Sequence, residues 1–126
     1  MAPFGATAAL ACAAPDSPLA QPRSIIGGHL LSALVGFLVL HTIGATLLGE
    51  SAAVAGAIAL MLATGTFHAP AGATPLVVLL TSPDLDFVLM PVLAGSALLV
   101  LVALLLNNLP SRPSLYVGDF ASLAKA

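Results

Sequence analysis

Seven residues of this 126-residue chain have types and spacing that could do chemistry: Gly5, Ala6 and Thr7 near the start, and His68, Gly72, Ala73 and Thr74 past the middle. A proline stands two residues ahead of each Gly-Ala-Thr triplet, at Pro3 and Pro70. Proline fixes φ and suits the first turn of a helix, and glycine lets a ligand or a second backbone come close. The first N–H groups of a helix are unpaired and carry partial positive charge. Two such N-termini facing each other at mid-membrane would bind an anion without a buried Lys or Arg. Thr7 and Thr74 would add hydroxyl donors. His68 directly precedes Ala69-Pro70, at the mouth of the second segment, where a neutral imidazole could hydrogen-bond an anion and a protonated one attract it. The competing reading is tight packing, in which small residues line helix contacts and Thr bonds its own backbone.

The other polar residues read more plainly. His29 and His41 lie twelve positions apart, about 120° around a helix, which is wrong for a two-histidine metal site. His29, close to Arg23, is expected at the membrane interface, and His41, deeper, in an interhelical hydrogen bond. Gly28, Ser32 and Gly36 form a four-residue stripe that lets helix backbones approach. Asp16, Asp84 and Asp86 read as turn or cap residues, and Glu50 as part of a three-residue hairpin facing water. Cys12 reads as a small packing residue, and a single cysteine excludes an internal disulfide. No nucleophile–base pair, phosphate loop or metal cluster stands out, so the chain reads as neither an enzyme nor a cofactor or metal protein, with no catalytic residue.

The elements that must position these residues follow from composition. Hydrophobic residues make up 60% of the chain and charged residues 6%, against about 25% charged in soluble domains. A small domain leaves much of its surface in water, so an ordinary soluble protein is excluded. Three basic residues, Arg23, Arg112 and Lys125, cannot build the cationic patch that nucleic acid requires. None precedes Arg23, so Met1 to Ala14 does not read as a secretion signal. Ile25 to Leu48 would make a helix of about 36 Å and Phe87 to Leu106 one of about 30 Å, both long enough to span. Pro91 falls in the first turn of the latter. Ala52 to Phe67, about 24 Å, is short for a crossing, and its alanines suit burial inside protein. Pro3 to Ala14 and Pro70 to Thr81 are too short to span, and such broken backbone needs shielding by protein or a wet cavity.

Pro3-Phe4-Gly5-Ala6-Thr7 matches Pro70-Ala71-Gly72-Ala73-Thr74 at four of five positions. Pro15-Asp16 then answers Pro83-Asp84, and Pro22 answers Pro91, each followed by a long apolar helix. The expected fold is therefore all-α: a polytopic helical membrane protein with two repeats, each a short Gly-Ala-Thr half-helix followed by a long transmembrane helix. If the Pro70 to Thr81 segment helps cross the bilayer, Arg23 and Arg112 fall on one face and the repeats are inverted, as the charge bias of membrane proteins favours. Ala52 to Phe67 leads into the second short segment, and the first has no counterpart ahead of it. Two expectations follow: the chain lacks a leading helix that this architecture calls for, or a homo-oligomer or partner subunit supplies it.

The runs Phe4-Gly5-Ala6-Thr7-Ala8, Pro15-Asp16-Ser17-Pro18-Leu19-Ala20-Gln21-Pro22-Arg23 and Gly27-Gly28-His29 resemble the HPP family of integral membrane proteins. So does His68-Ala69-Pro70-Ala71-Gly72-Ala73-Thr74, in the place of that family's His-Pro-Pro motif, with Ala69 where the motif has its first proline. The resemblance extends from Met1 to about Asn108. It implies a four-helix membrane fold, here without the family's first helix, and an association with nitrite transport. No region like the cytosolic CBS-type domain of some members follows Leu115.

Together these readings give an HPP-like transmembrane domain over 1–110 and a short polar tail over 111–126. The expected function is a small-anion, nitrite-like transporter or channel in a lipid bilayer, with a composition that suits a bacterial inner membrane. Its substrate site would comprise Gly5, Ala6, Thr7, His68, Gly72, Ala73 and Thr74. The alternative is a non-transporting scaffold or regulatory subunit, or a truncated remnant of such a transporter.

Overall fold

The computed structural model describes residues 1–109, and the 111–126 tail with Arg112 and Lys125 lies outside the described residues. Among the described residues the regular structure is helical. It consists of α1 (Ala2–Ala13), α2 (Pro22–Thr42), α3 (Leu47–Thr64), α4 (Thr74–Thr81) and α5 (Ala94–Asn107). Short 3₁₀ turns at Pro18–Ala20 and Ala69–Ala73 precede α2 and α4, and a π-helical stretch at Val88–Leu93 leads into α5. Three stretches are long and apolar enough to cross a membrane: Pro22–Thr42, Leu47–Thr64 and Val88–Asn107.

The turn between the first two spans lies earlier than the sequence suggested. The apolar run to Leu48 placed a hairpin at Glu50, but α2 stops at Thr42 and the chain reverses over 43–46. Gly44 has φ +84, a conformation that costs glycine little. Thr46 then caps α3, its Oγ1 accepting from the Gly49 N–H at 3.1 Å, as N-cap hydroxyls do. Glu50 sits half-buried in the first turn of α3, where the positive end of the helix dipole favours an acid. A charge at a helix start imitates a loop. The correction lengthens α3 to 18 residues, about 27 Å, enough for a crossing. Nor is α3 enclosed by protein. It buries one stripe, Gly49, Ala53, Ala57 and Met61, at four-residue spacing, and Ala55, Ala59, Leu60 and Leu62 are exposed.

The start of the last span also departs from expectation. Met90 is extended, with φ −136 and ψ 113, because the ring of a following proline excludes the helical region. Pro91 therefore interrupts the span instead of lying harmlessly in its first turn, and regular α-helix begins at Ala94. At the far end of α3, Gly65 takes φ +64, and the Gly65 and Thr66 N–H groups donate back to Leu62 and Met61. This is the hydrogen-bond pair of a Schellman C-cap. Arg23 Nη2 donates to the Thr64 carbonyl at 2.8 Å, placing a cation at the negative end of α3.

α2 is the hub, touching α3, α4, α5 and the Val88–Leu93 stretch. Its small stripe makes this possible. A Cβ on Gly36 would lie 3.0 Å from Pro75 Cα and Val78 Cβ of α4, and one on Gly28 would lie 2.9 Å from His68 Cβ. Between them Ser32 Oγ donates to Met61 Sδ at 3.7 Å.

Contacts along α2 set the direction of every other helix. α3 runs against it, with Ala53 near Val39 and Met61 near Ser32. α4 runs with it, from Pro75 at Gly36 to Leu79 beside Val39. α1 runs against it, from Phe4 at His29 to Ala11 beside Ile25. α5 runs parallel to α1: Gly95 meets Phe4, Val100 and Ala103 pack on Ala11 and Ile25, and Asn107 Nδ2 donates to the Ala11 carbonyl at 3.1 Å. α1 and α4 therefore leave the level of His29 in opposite directions.

Candidate functional site

At that level four polar side chains meet. Thr7 of α1, His29 of α2, His68 at the entrance to the 3₁₀ turn and Thr74 at the start of α4 are each 0% exposed. Thr7 Oγ1 lies 2.8 Å from His29 Nε2 and 2.9 Å from His68 Nε2. Thr74 Oγ1 lies 2.8 Å from His29 Nδ1, and His68 Nδ1 lies 2.6 Å from the Leu19 carbonyl. Thr7 Oγ1 is also 3.1 Å from the Pro3 carbonyl. α2 spans 21 residues centred on Ser32, so His29 lies about 4.5 Å along the axis from its midpoint. The cluster lies near the middle of the α2 span.

When both rings are neutral, one placement of the protons satisfies every ring nitrogen. A carbonyl only accepts, so His68 Nδ1–H donates to Leu19 O. His68 Nε2 is then bare and accepts from the Thr7 hydroxyl. Thr7 has a single proton, so towards His29 it accepts, and His29 Nε2–H donates. His29 Nδ1 is bare and accepts from the Thr74 hydroxyl. Every polar atom of both rings is satisfied, as burial in an apolar medium demands.

The surroundings are shaped for these rings. Phe4 stands edge-on to His29, ring centroids 5.0 Å apart. Gly95 of α5 gives Phe4 its place, since a Cβ there would overlap the Phe4 ring. The two imidazoles meet edge to face with centroids 5.3 Å apart.

Of the seven residues singled out by sequence, the structure brings together Thr7, His68 and Thr74. Gly5, Ala6 and Ala73 are exposed, and Gly72 is half-buried facing Ile58 of α3. Thr7 lies in the second turn of α1, so its side chain and not its N–H reaches the cluster. His29 is the residue the sequence reading missed. It was expected at the interface near Arg23, but six residues carry it about 9 Å deeper along α2. The usable signal was Gly28 beside it: a bare backbone there admits His68. His41 reverses its expectation too, lying exposed in the last turn of α2 with its ring stacked on Phe37.

A family model described as HPP, transmembrane region, matches residues 1–115. The chain belongs to the HPP transmembrane family. Within that family it is similar to a transmembrane protein of Dictyostelium discoideum, 37% identical over 113 residues, covering 83% of this chain and 36% of the relative. A second Dictyostelium discoideum transmembrane protein is 35% identical over 119 residues, covering 88% of this chain and 42% of the relative. The chain thus spans less than half the length of these relatives. No solved structure matches it. In this HPP chain the segment beginning His68-Ala69-Pro70 is the cluster's second wall, with His68 in an extended conformation ahead of the 3₁₀ turn. Family membership and the apolar spans make the chain an integral membrane protein.

Proposed function

We propose that this HPP-family domain moves a small, nitrite-like anion across its membrane, with the Thr7–His29–His68–Thr74 cluster at the centre of the path. The observation that carries this reading is the opposed course of α1 and α4, whose starting ends are joined through His29. On this reading the chain is two inverted repeats: α1 with α2, and the 69–81 segment with the 88–107 span. The cross-packing supports it, since α1 lies on α5 and α4 lies on α2. Apart from Arg23 at the start of α2, the described spans contain no Lys or Arg. Hydroxyl, imidazole and helix-end donors would therefore stabilise the anion. Passage requires the cluster to open, with Thr7 and Thr74 turning their hydroxyls from the imidazoles to the solute. A second copy or a partner subunit packing ahead of α1 belongs to this proposal, as does residence in a bacterial inner membrane.

The full burial of the cluster favours one rival, a scaffold or regulatory domain in which the same hydrogen bonds only hold helices together. Nitrite entry into liposomes containing the purified chain separates the two. Thr74→Val keeps the shape and removes the hydroxyl. The transport reading predicts at least a tenfold fall in nitrite entry with helical content unchanged. Entry equal to that of the native chain would favour the scaffold.

A further inference from the structure

From the geometry of the cluster we infer that it is a proton-binding site, taking up one proton on His68 Nε2 while the Thr7 hydroxyl turns from His68 to the Pro3 carbonyl. In the neutral arrangement derived above, Thr7 shares its one proton between two acceptors in reach, His68 Nε2 at 2.9 Å and Pro3 O at 3.1 Å, and it is the bond to His68 that satisfies the bare ring nitrogen. A proton from water added to His68 Nε2 converts that nitrogen from acceptor to donor. Thr7 Oγ1 then accepts from both rings, at 2.8 and 2.9 Å, and its own proton has a waiting acceptor in Pro3 O. His68 Nδ1–H stays on Leu19 O throughout. One heavy-atom geometry therefore serves both charge states, and no hydrogen bond is lost.

The same accounting selects His68 over His29. A second proton on His29 would go to Nδ1, turning Thr74 from donor to acceptor. The described contacts of Thr74 Oγ1 offer its displaced proton no further acceptor. Thr7 alone has two acceptors for one proton, so the switch is built on the His68 side.

Few other charges bear on the pair. Among the described residues the titratable group facing each ring is the other ring. α1 presents Thr7 and Phe4, the 3₁₀ turn Pro18–Ala20 presents the Leu19 carbonyl, and α4 presents Thr74. α5 contributes Gly95 behind Phe4, and the end of α3 contributes Met61 and the Thr66 carbonyl beside Gly28. Asp16 and Arg23 are exposed, and the Arg23 guanidinium is engaged by Thr64 O. Ionisable groups within membrane bundles are rare and mark proton or ion pathways. The inference goes beyond the transport reading and does not require it: a proton can load here whether or not a solute crosses. Were a solute to cross, the imidazolium would be a counter-charge that appears only on protonation.

The test is nitrogen NMR of the full chain in lipid vesicles, with ¹⁵N in its three histidines, acidified from about pH 8 to about pH 4 across the imidazole range. Single His→Gln variants assign the rings. The expected starting state has opposite tautomers, with the proton on Nδ1 in His68 and on Nε2 in His29. On acidification His68 gains a second proton and His29 keeps its tautomer. Thr7→Ser preserves this pattern, and Thr7→Val abolishes the difference between the rings. Like tautomers in the native chain, protonation of His29 in place of His68, or a His68 that stays inert across the whole range would each overturn the proposal. So would a Thr7→Val spectrum identical to the native one, and the native tautomers decide the matter even if that variant fails to fold.

Discussion

α2 and α5 are both apolar rods, yet the chain uses them in opposite ways. The α2 span has mean hydropathy 1.8 and 44% of it is buried, whereas the Val88–Asn107 span has 2.7 and 22%. The less hydrophobic helix is the more enclosed. In water the order would be reversed, because burial there tracks hydrophobicity. In lipid the tails are as apolar as leucine, so leucines gain little by turning inward, and helices associate through small and polar residues. α2 accordingly encloses Gly28, His29, Ser32 and Gly36, and α5 turns Leu98, Leu101, Leu104 and Leu105 outward.

The contrast can be broken first at the hub. A Cβ on Gly28 would lie 3.1 Å from the Thr66 carbonyl as well as against His68, and backbone yields poorly. Gly28→Leu should cost about 3 kcal/mol or more, the upper range for overpacking, seen as loss of a monodisperse helical species on heating in detergent. A tolerated leucine would mean that α2 and the 66–68 segment are not in contact.

A charge on the outer face of α5 should act nearly as strongly, through the bilayer instead of through packing. Leu98 is 60% exposed near the middle of the span. Leu98→Lys should raise the apparent insertion free energy by about 3 kcal/mol, measurable as reduced membrane integration. Normal integration would indicate that water or a polar partner covers this face.

Thr7→Val comes next. It leaves the His29 Nε2–H and the His68 Nε2 without their partner, at about 1 kcal/mol each, the low end for unsatisfied buried groups, and should lower the thermal midpoint. Thr7→Ser should recover most of the loss. The smallest effect is expected for Leu105→Ala, since Leu105 is 62% exposed. Its thermal midpoint should stay near the native value, as surface changes fall within about 0.5 kcal/mol.

Much of this was legible in the sequence because hydropathy and Pro/Gly punctuation are local signals. The first and last spans, the short Pro3 and Pro70 segments, the exposed Pro-Asp turns and the small stripe of α2 all follow from spacing, whereas the crossing by α3 does not. The Thr7–Thr74 correspondence likewise pointed to two residues that the structure joins through one imidazole. What escaped was set by pairing across the fold. His29 reads as interfacial while Arg23 is its only visible neighbour, and becomes a hub once Thr7 and Thr74 arrive from 22 and 45 residues away. Glu50 imitates a loop because a helix start and a turn both welcome an acid. The break at Met90 was local, but the proline rule alone does not say whether Pro91 opens a helix or interrupts one.

The central claim is that α1 and α4 diverge from a common level inside the bilayer, so their far ends emerge on opposite faces. Asp16 follows the end of α1 and Asp84 the end of α4, and both are exposed. In a Cys12→Ala background, Asp16→Cys and Asp84→Cys can each be probed in sealed, oriented vesicles with a membrane-impermeant maleimide. Labelling of the two cysteines from opposite sides is the predicted result. Labelling of both from the same side would contradict the opposed arrangement, and with it the path proposed between the two helices.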